Sequence, residues 1–114
     1  MEMEAKRLKI YIHSSDKFRH RPLYEVIVFA AKRYGLSRVL VFRGVMGYEE
    51  GQEVMSEKFW EISGKMPLLI EIIDETSRID AFTAKILPWL GKVSPGSLIT
   101  EESTLVRYIE MQHP

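Results

Sequence analysis

The stretch Arg38 to Glu53 reads R-V-L-V-F-R-G-V-M-G-Y-E-E-G-Q-E and organises the rest of the chain. Its first six residues are apolar at almost every central position, which indicates a β-strand covered on both faces. The strand then breaks at three glycines, Gly44, Gly47 and Gly51. Polar sequence without a regular pattern follows as far as Lys65. Because long irregular segments that leave buried strands often carry binding residues, the pattern places the candidate site in and around residues 44–65.

The segments on either side of this stretch predict strands and a helix. Leu8–His13 alternates apolar and polar residues, as a half-buried strand does. Pro22 suits the first turn of a helix, and Gly35 supplies a left-handed stop. Leu68–Ile73 is the third predicted strand. The predicted buried face of the first helix consists of Leu23, Val26, Ile27, Ala30 and Tyr34.

A second helix is predicted from Thr76 or Ser77. Ser77 and Asp80 have the spacing of a capping box. Pro88 predicts a kink in the last turn, and Gly91 predicts the end of the helix. The predicted buried face consists of Ile79, Phe82, Ile86 and Leu90.

The C-terminal part predicts a tight loop over 92–96, a fourth strand over Ser97–Thr100 and an edge strand over Leu105–Ile109. The order is then β-α-β-β-α-β with a tail. This is the ferredoxin-like arrangement, an α+β fold with an antiparallel sheet and two helices on one face. A single domain of residues 1–114 has no third layer for the other face, so an oligomer is predicted.

Composition excludes several classes of site. The net charge is zero, which gives no argument for nucleic acid or a membrane surface. The absence of cysteine excludes disulfides, thiol nucleophiles and cysteine-based metal sites. No apolar run approaches the roughly 20 residues of a membrane span, and no apolar segment follows the charged N-terminus. A cytoplasmic protein is therefore predicted.

Charge is nevertheless unevenly distributed. Residues 1–45 carry ten Lys or Arg against four acids, and residues 46–114 carry six against twelve. The basic residues cluster at Lys17, Arg19, His20 and Arg21. This cluster is either a solvated basic rim or a place where an anion docks.

Four segments carry a resemblance to a known group: L-K-I-Y-I from Leu8, R-P-L-Y-E-V-I-V from Arg21, Y-G-L-S-R-V-L-V-F-R-G-V-M-G-Y from Tyr34 and M-P-L-L-I-E-I-I-D from Met66. Together they resemble an uncharacterised family of PII-like proteins, over Leu8 to about Ile109. The most specific piece is R-G-V-M-G-Y at Arg43–Tyr48. The nitrogen-regulatory PII proteins are more distant relatives.

The resemblance implies a homotrimer of ferredoxin-like subunits with ligand pockets in the clefts between them. In PII proteins the long excursion after the second strand is the T-loop, which reports a bound adenine nucleotide to a partner. Residues 44–65 hold that position here. The implied partners are therefore sister subunits, a small anionic ligand such as an adenine nucleotide, and a membrane transporter or enzyme target contacted through 44–65.

A second PII element, the B-loop, has the pattern T-G-K-I-G-D-G-K and cradles phosphates. The corresponding stretch here is L-G-K-V-S-P-G-S at Leu90–Ser97. Gly91, Lys92 and Gly96 match the pattern. The second lysine of the pattern is replaced by Ser97, so one phosphate-binding cation is missing. Arg107 is the counterpart of a basic residue near the C-terminal strand.

The residue types at the exit of the strand 38–43 also indicate a binding site, without reference to the resemblance. Glycines at a strand exit permit positive φ and let backbone N–H groups approach an anion, although a loop that merely turns needs them as well. If Phe42 faces the core, Arg43 faces a cleft beside these glycines, where it contacts either an anion or a surface acid. The predicted ligand-binding residues are Arg43, Gly44, Gly47, Gly91, Lys92, Gly96 and Arg107.

The sequence shows no recognisable catalytic or metal-binding motif. Glu49, Glu50 and Glu53 do not have the spacing of an EF-hand, and the histidines at 13, 20 and 113 are scattered. No nucleophile elbow, P-loop or Rossmann fingerprint occurs. The prediction is a non-enzymatic protein without a metal site. The alternatives are a trimeric metal-handling protein resembling the divalent-cation-tolerance group and a small enzyme with its site at a subunit boundary.

Overall fold

The computed structural model describes residues 2–112, and its framework is a four-stranded antiparallel sheet. In chain order the elements are β1 (Glu2–His13), β2 (Lys17–Phe18), β3 (Arg21–Pro22), α1 (Leu23–Tyr34), β4 (Arg38–Arg43), β5 (Met46–Gly47), β6 (Met55–Ser56), α2 (Glu57–Ser63), β7 (Pro67–Glu75), α3 (Thr76–Val93) and β8 (Leu98–Arg107). The large sheet has the order β4-β7-β1-β8, and the short strands form two separate pairs. The long strands with α1 and α3 give the predicted ferredoxin-like arrangement.

Alternation along the two central strands builds the core. Leu8 lies opposite Ile72, and Ile10 opposite Ile70, in the antiparallel β1–β7 ladder. Directly opposed residues share a face of a sheet, and all four of these side chains are fully buried. The residues from the helices that complete the buried cluster include Leu23, Ile27, Ala31, Ile79, Phe82 and Ile86. Both predicted helical faces are confirmed in their central positions.

The opposite face of the sheet, which we call the open face, is turned away from α1 and α3. One row across it consists of Phe42, Leu69, Tyr11 and Leu98, which pair in the ladders. Leu40 lies on the same face, because it pairs with Glu71 rather than with a core residue. The exposed fractions of Tyr11, Leu40, Phe42 and Leu98 are between 39% and 57%. The expectation that both faces of β4 are covered therefore does not hold within one protomer.

The segment 44–65 is more regular than predicted. It contains the short β5–β6 pair and the seven-residue helix α2, so the fold has a third helix besides the two expected. The glycine at 64 ends α2 in a left-handed conformation with φ of 72°, and its N–H donates to the Trp60 carbonyl at 2.9 Å. The interpretation of this segment as wholly irregular was wrong.

The helix α3 differs from its prediction at both ends. The capping box is not formed, since Ser77 Oγ donates to Glu75 Oε1 at 2.6 Å. The helix does not end at Gly91 but continues through Val93, where the next N–H, of Ser94, donates to the Leu90 carbonyl at 2.8 Å. Pro88 lies inside this continuous helix.

The C-terminal strands are also joined. The fourth strand and the edge strand predicted separately form one strand, β8, because the long β1 offers a continuous partner from Tyr11 back to Glu2. β1 itself begins six residues earlier than predicted. Among residues 2–112, no helix has the length and apolar character needed to cross a membrane.

Candidate functional site at the loop end of the sheet

Strand directions bring the candidate residues to one end of the sheet. β1 and β4 both run antiparallel to β7, so the ends of β1 and β4 lie beside the start of β7. β8 also starts there, since Leu98 pairs with Tyr11. We call this the loop end, because the segment 44–65, the connection 14–16 and the turn 94–97 all leave from it.

Arg43 lies on the helix side of β4, where it pairs with Leu68. Phe42 points to the open face, so the condition that Phe42 faces the core was wrong, although Arg43 does border a cleft. The cleft has a volume of about 480 Å³. Its lining consists of Ser14, Tyr24, Val41, Phe42, Arg43, Trp60, Glu61, Gly64, Met66 and Leu68. The groove combines apolar and aromatic side chains with two charged ones, Arg43 and Glu61.

The Arg43 guanidinium already has a protein partner. Its Nη2 lies 2.9 Å from Glu57 Oε1 at the start of α2, and the arginine side chain is 57% exposed. An exposed ion pair of this kind contributes at most about 1 kcal/mol. An incoming phosphate or carboxylate can therefore replace Glu57 at low cost, and such a replacement would alter what holds α2.

Trp60 is the anchor of the segment 44–65. It is the one buried side chain of this segment, all of which the structure describes, and it is 9% exposed. The outer residues of α2, Phe59 and Ile62, are exposed instead. A single aromatic side chain therefore carries most of the apolar contact between α2 and the core.

Gly44 is required by a close approach rather than by positive φ. Its N–H donates to the Pro67 carbonyl at 3.0 Å, so it is not aimed at a ligand. A Cβ at this position would lie 2.9 Å from Pro67 Cγ and 3.3 Å from Trp60. Gly47 lies in the β5–β6 pair opposite Met55. The idea that both glycines free their N–H groups for an anion was wrong for Gly44.

A second cavity of about 610 Å³ lies on the other side of the loop end. His13 Nε2 lies 2.7 Å from Glu49 Oε1 at its wall. Asp16 Oδ2 accepts the His13 N–H at 2.9 Å and the Ser94 hydroxyl at 2.8 Å. The lining includes Asp16, Glu49, Glu50, Ser94, Pro95, Gly96 and Ser97. This lining has three carboxylates, Asp16, Glu49 and Glu50, and no lysine or arginine, whereas Arg43 offsets Glu61 in the first cleft, so the Arg43 side is the better place for a negative group.

Within one protomer the other predicted residues do not converge on Arg43. Gly91 and Lys92 lie in the last turns of α3, with Lys92 exposed. Gly96 lines the acidic cavity. Arg107 lies at the opposite end of the sheet, where its Nε donates to Glu2 Oε1 at 3.0 Å. One protomer therefore does not bring these residues together, and a shared site in a cleft between subunits stays a prediction.

The opposite end of the sheet is held by Asp74, which is buried. Burial would raise the pKa of Asp74, but N–H donors from Ser37 and Glu75, the Ser37 hydroxyl and the Arg78 charge lower it below its ordinary value of 3.8. The Ser37 N–H donates to Asp74 Oδ2 at 2.8 Å, and the Glu75 N–H to Oδ1 at 2.7 Å. These contacts fix the turn before β4 against the end of β7.

Side chains that could ligate a metal are dispersed in the fold. Among residues 2–112, no three His, Asp or Glu side chains come together in a way that could hold a metal ion. His13 and His20 lie within these residues, and His113 lies outside them.

Phe59 and Trp60 have the aromatic character of loop anchors; Trp60 has that role, Phe59 is exposed, and sequence reasoning missed Glu57 as a partner of Arg43. A local signal for α2 exists: Ser56 precedes it, Glu57 occupies its first turn and Gly64 follows it, which is the usual pattern at helix ends. The His13–Glu49 pair had no such signal, because 36 residues separate its members.

Comparison with known proteins places the chain in a family. Residues 5–106 match the DUF190 family, described as "Uncharacterized ACR, COG1993". The chain belongs to the DUF190 family. A UPF0166 protein of Aquifex aeolicus is 31% identical over 107 residues, which are 94% of this chain and 97% of that protein. A UPF0166 protein of Methanocaldococcus jannaschii is 34% identical over 92 residues, 80% of each chain.

Solved structures share the fold of this DUF190 protein at low identity. CPII from Thiomonas intermedia K12, a nitrogen regulatory PII-like protein bound to ADP, AMP and bicarbonate, has a TM-score of 0.67 at 11% identity, covering 93% of this chain and 91% of CPII. A putative PII-like signaling protein from Thermus thermophilus has a TM-score of 0.55 at 14% identity, with coverages of 92% and 89%. The resemblance to an uncharacterised PII-like family and the ferredoxin-like fold are confirmed.

Proposed function

We propose that this DUF190 protein is a homotrimeric, non-enzymatic PII-like regulator that binds a small anionic ligand in clefts between subunits. Residues 1–114 act as one domain in this proposal, and an adenine nucleotide is the first candidate ligand. The fold supports a PII-like role, and CPII, which shares it, is described as bound to ADP and AMP. The observation that carries the proposal is the exposed Arg43, placed where the sheet gives way to the segment 44–65.

The open face supports self-association. Its exposed apolar row lies on a flat sheet surface, and such a surface marks an interface in a soluble protein. Arg107 lies at the end of the edge strand β8, and we place a neighbouring subunit beside this edge in the proposed assembly. A cleft between copies is therefore a natural place for Arg107 to join a site that one protomer leaves incomplete.

The ion pair between Arg43 and Glu57 supports a responsive segment. An anion that takes the guanidinium from Glu57 leaves α2 held mainly by Trp60. A charge-assisted hydrogen bond from Arg43 to a phosphate contributes about 1.5–3 kcal/mol, more than the exposed pair it replaces. Ligand binding would thus shift how the segment 44–65 is held, and a target protein would read that change.

Calorimetric titration with ADP, AMP, ATP and cyclic dinucleotides tests the ligand. We expect at least one of them to bind, and Arg43→Ala to weaken that binding by about 10- to 100-fold. Arg33→Ala, which removes an exposed arginine from α1, is the matched control and should bind like the parent protein. Absence of binding by all of these nucleotides, or equal binding by both variants, would overturn the nucleotide proposal.

Light scattering on a sizing column tests the assembly separately. The expected mass is three times that of the 13.3 kDa chain. Replacing Leu40 and Phe42 by Asp on the open face should give monomers, whereas a trimer that survives both substitutions would show that another surface holds the subunits together.

A further inference from the structure

The segment 44–65 presents an apolar surface to solvent even though it is folded. The side chains of this loop surface are Val45, Met46, Tyr48 and Val54 from the β5–β6 part and Phe59 and Ile62 from α2. Each is between 63% and 79% exposed. Scattered apolar residues on a surface are normal, but six large ones on one short segment indicate a docking surface.

The charges around the loop surface restrict its partner. The segment 44–65 contains five glutamates and two lysines, and two of the glutamates, Glu49 and Glu57, pair with His13 and Arg43. The acidic excess that remains beside the apolar side chains fits a partner surface that is basic and aromatic, because opposite potentials steer and align an encounter. A purely apolar partner, or an acidic one, is disfavoured.

A surface of that kind exists on the same chain, at the β2–β3 hairpin. The Arg19 guanidinium lies 5.3 Å from the centre of the Phe18 ring, and that of Arg21 lies 6.0 Å from the Phe29 ring, which is 52% exposed. Phe18 in turn packs on Trp89 of α3 with ring centres 5.5 Å apart. We call Lys17, Arg19, Arg21 and Phe29 the basic surface.

The tip of the β2–β3 hairpin has an energetically unfavourable backbone conformation. Arg19 and His20 form its tip with φ of 51° and 68°. Side chains other than glycine pay about 1–2 kcal/mol for this left-handed conformation. The aromatic contact of Arg19 helps to offset that cost, and both arginines are exposed beside an aromatic ring.

The segments that carry the two surfaces leave from the same end of the sheet. The connection 14–16, which leads into the hairpin, lines one cavity with Glu49, Met55 and Trp60 of the segment 44–65. Two protomers that face each other with this end around a two-fold axis would bring each loop surface against the other's basic surface. Such a reciprocal contact closes on itself and does not grow into a fibre.

We infer that the loop surface of one copy docks on the basic surface of a second copy in this reciprocal manner. The contact is separate from the open face and from the ligand at Arg43. If the proposed trimer forms, this contact joins two trimers end to end. It buries the exposed apolar side chains of 44–65 when no target protein occupies them, and the charge on both sides makes it sensitive to salt.

Reversing the charge of each surface in turn tests this inference, with sedimentation velocity at low and high sodium chloride as the measurement. We call the mass of the parent protein at high salt the basal mass. At low salt the parent protein should have twice this mass. A hairpin variant, K17E/R19E/R21E, and a loop variant, E50K/E53K, should each stay at the basal mass at low salt. An equimolar mixture of the two variants should regain the doubled mass, because each loop then meets a hairpin of opposite charge.

Three outcomes would overturn the inference: a parent protein that keeps one mass at both salt concentrations, either variant doubling on its own, or a mixture that remains at the basal mass. Phe59→Ser provides an uncharged check and should also lower the doubled fraction at low salt. Nucleotide titration of the same variants separates this inference from the proposed function. Both charge variants should bind nucleotide as the parent does, whether or not they double.

Discussion

The two ends of the sheet differ in how their charged side chains are paired. At the end of β7, Asp74 is buried and accepts hydrogen bonds from Ser37 and Glu75, so the polar groups of the turn are satisfied inside the protomer. At the loop end, Arg43 and His13 are partly exposed and contact acids of the segment 44–65. Buried, charge-assisted networks fix a structure, whereas exposed pairs can be exchanged for a ligand. One end is therefore held by buried contacts and the other by exposed ion pairs, which is the arrangement that the proposed ligand site requires.

The largest expected effect comes from removing the anchor of the loop end. Trp60→Ala should cost about 3 kcal/mol of the free energy that docks α2, because the buried indole is its main contact with the core. Hydrogen exchange should become fast in 57–63 and stay slow in β1 and β7. Phe59→Ala, on the exposed side of the same helix, is the control and should leave both regions unchanged. Equal loss of protection in β1 would show that the loop end is not a separate unit.

A smaller effect is expected at the stable end. Asp74→Ala should lower the free energy of unfolding by about 2 kcal/mol at neutral pH, since two N–H donors and a hydroxyl lose a charged acceptor. Denaturant unfolding measures the loss. Asp80→Ala, which breaks the exposed contact with Lys6, should change the midpoint little.

The pH dependence of that loss follows from the lowered pKa of Asp74. The unfolded carboxyl takes up a proton more readily than the folded one, so the stabilisation is present at neutral pH and declines as the pH falls through and below 3.8. Asp74→Ala should therefore approach the parent protein in stability under acid conditions. A difference that stays constant with pH would contradict the assignment.

The smallest expected changes in the free energy of unfolding come from two glycine substitutions with effects of opposite sign. Gly44→Ala should cost about 1–2 kcal/mol, since its methyl group would press on Pro67 and Trp60. Gly91→Ala should stabilise by about 0.5–1 kcal/mol, because Gly91 is inside α3 and, apart from its chain neighbours and the backbone of its own helix, no described atom lies within 4 Å of the added carbon. Thermal unfolding of the two variants should shift in opposite directions.

The framework of the fold was predictable because burial follows a simple period. The strand at 38–43 has the bounds that its sequence predicts, and the alternation of Leu8, Ile10 and Ile12 places all three in the core. Gly91 misled the prediction of the helix end, because it does not adopt the positive φ of a helix stop and α3 continues to Val93. Glycine is compatible with both conformations, so the residue type alone does not report which one it takes.

The candidate site was less predictable. Arg43 and the position of the segment 44–65 were found from the chain, but Arg43 and Phe42 exchange the sides assigned to them. Which side a residue of β4 faces depends on its register with β7, and that register is a contact between distant parts of the chain. Glu57 escaped notice for the same reason, because its importance comes from its distance to Arg43.

Because β8 lies at the edge of the sheet, its side chains affect whether further copies of the chain can add to this edge and form fibrils. Glu101 and Glu102 stand in the middle of this strand and project to opposite faces, since they pair with Leu8 and Arg7. In a cross-β stack of identical β8 strands in register, like charges would face each other on both sides of every layer. The charges of these two glutamates thus oppose fibril growth along this edge.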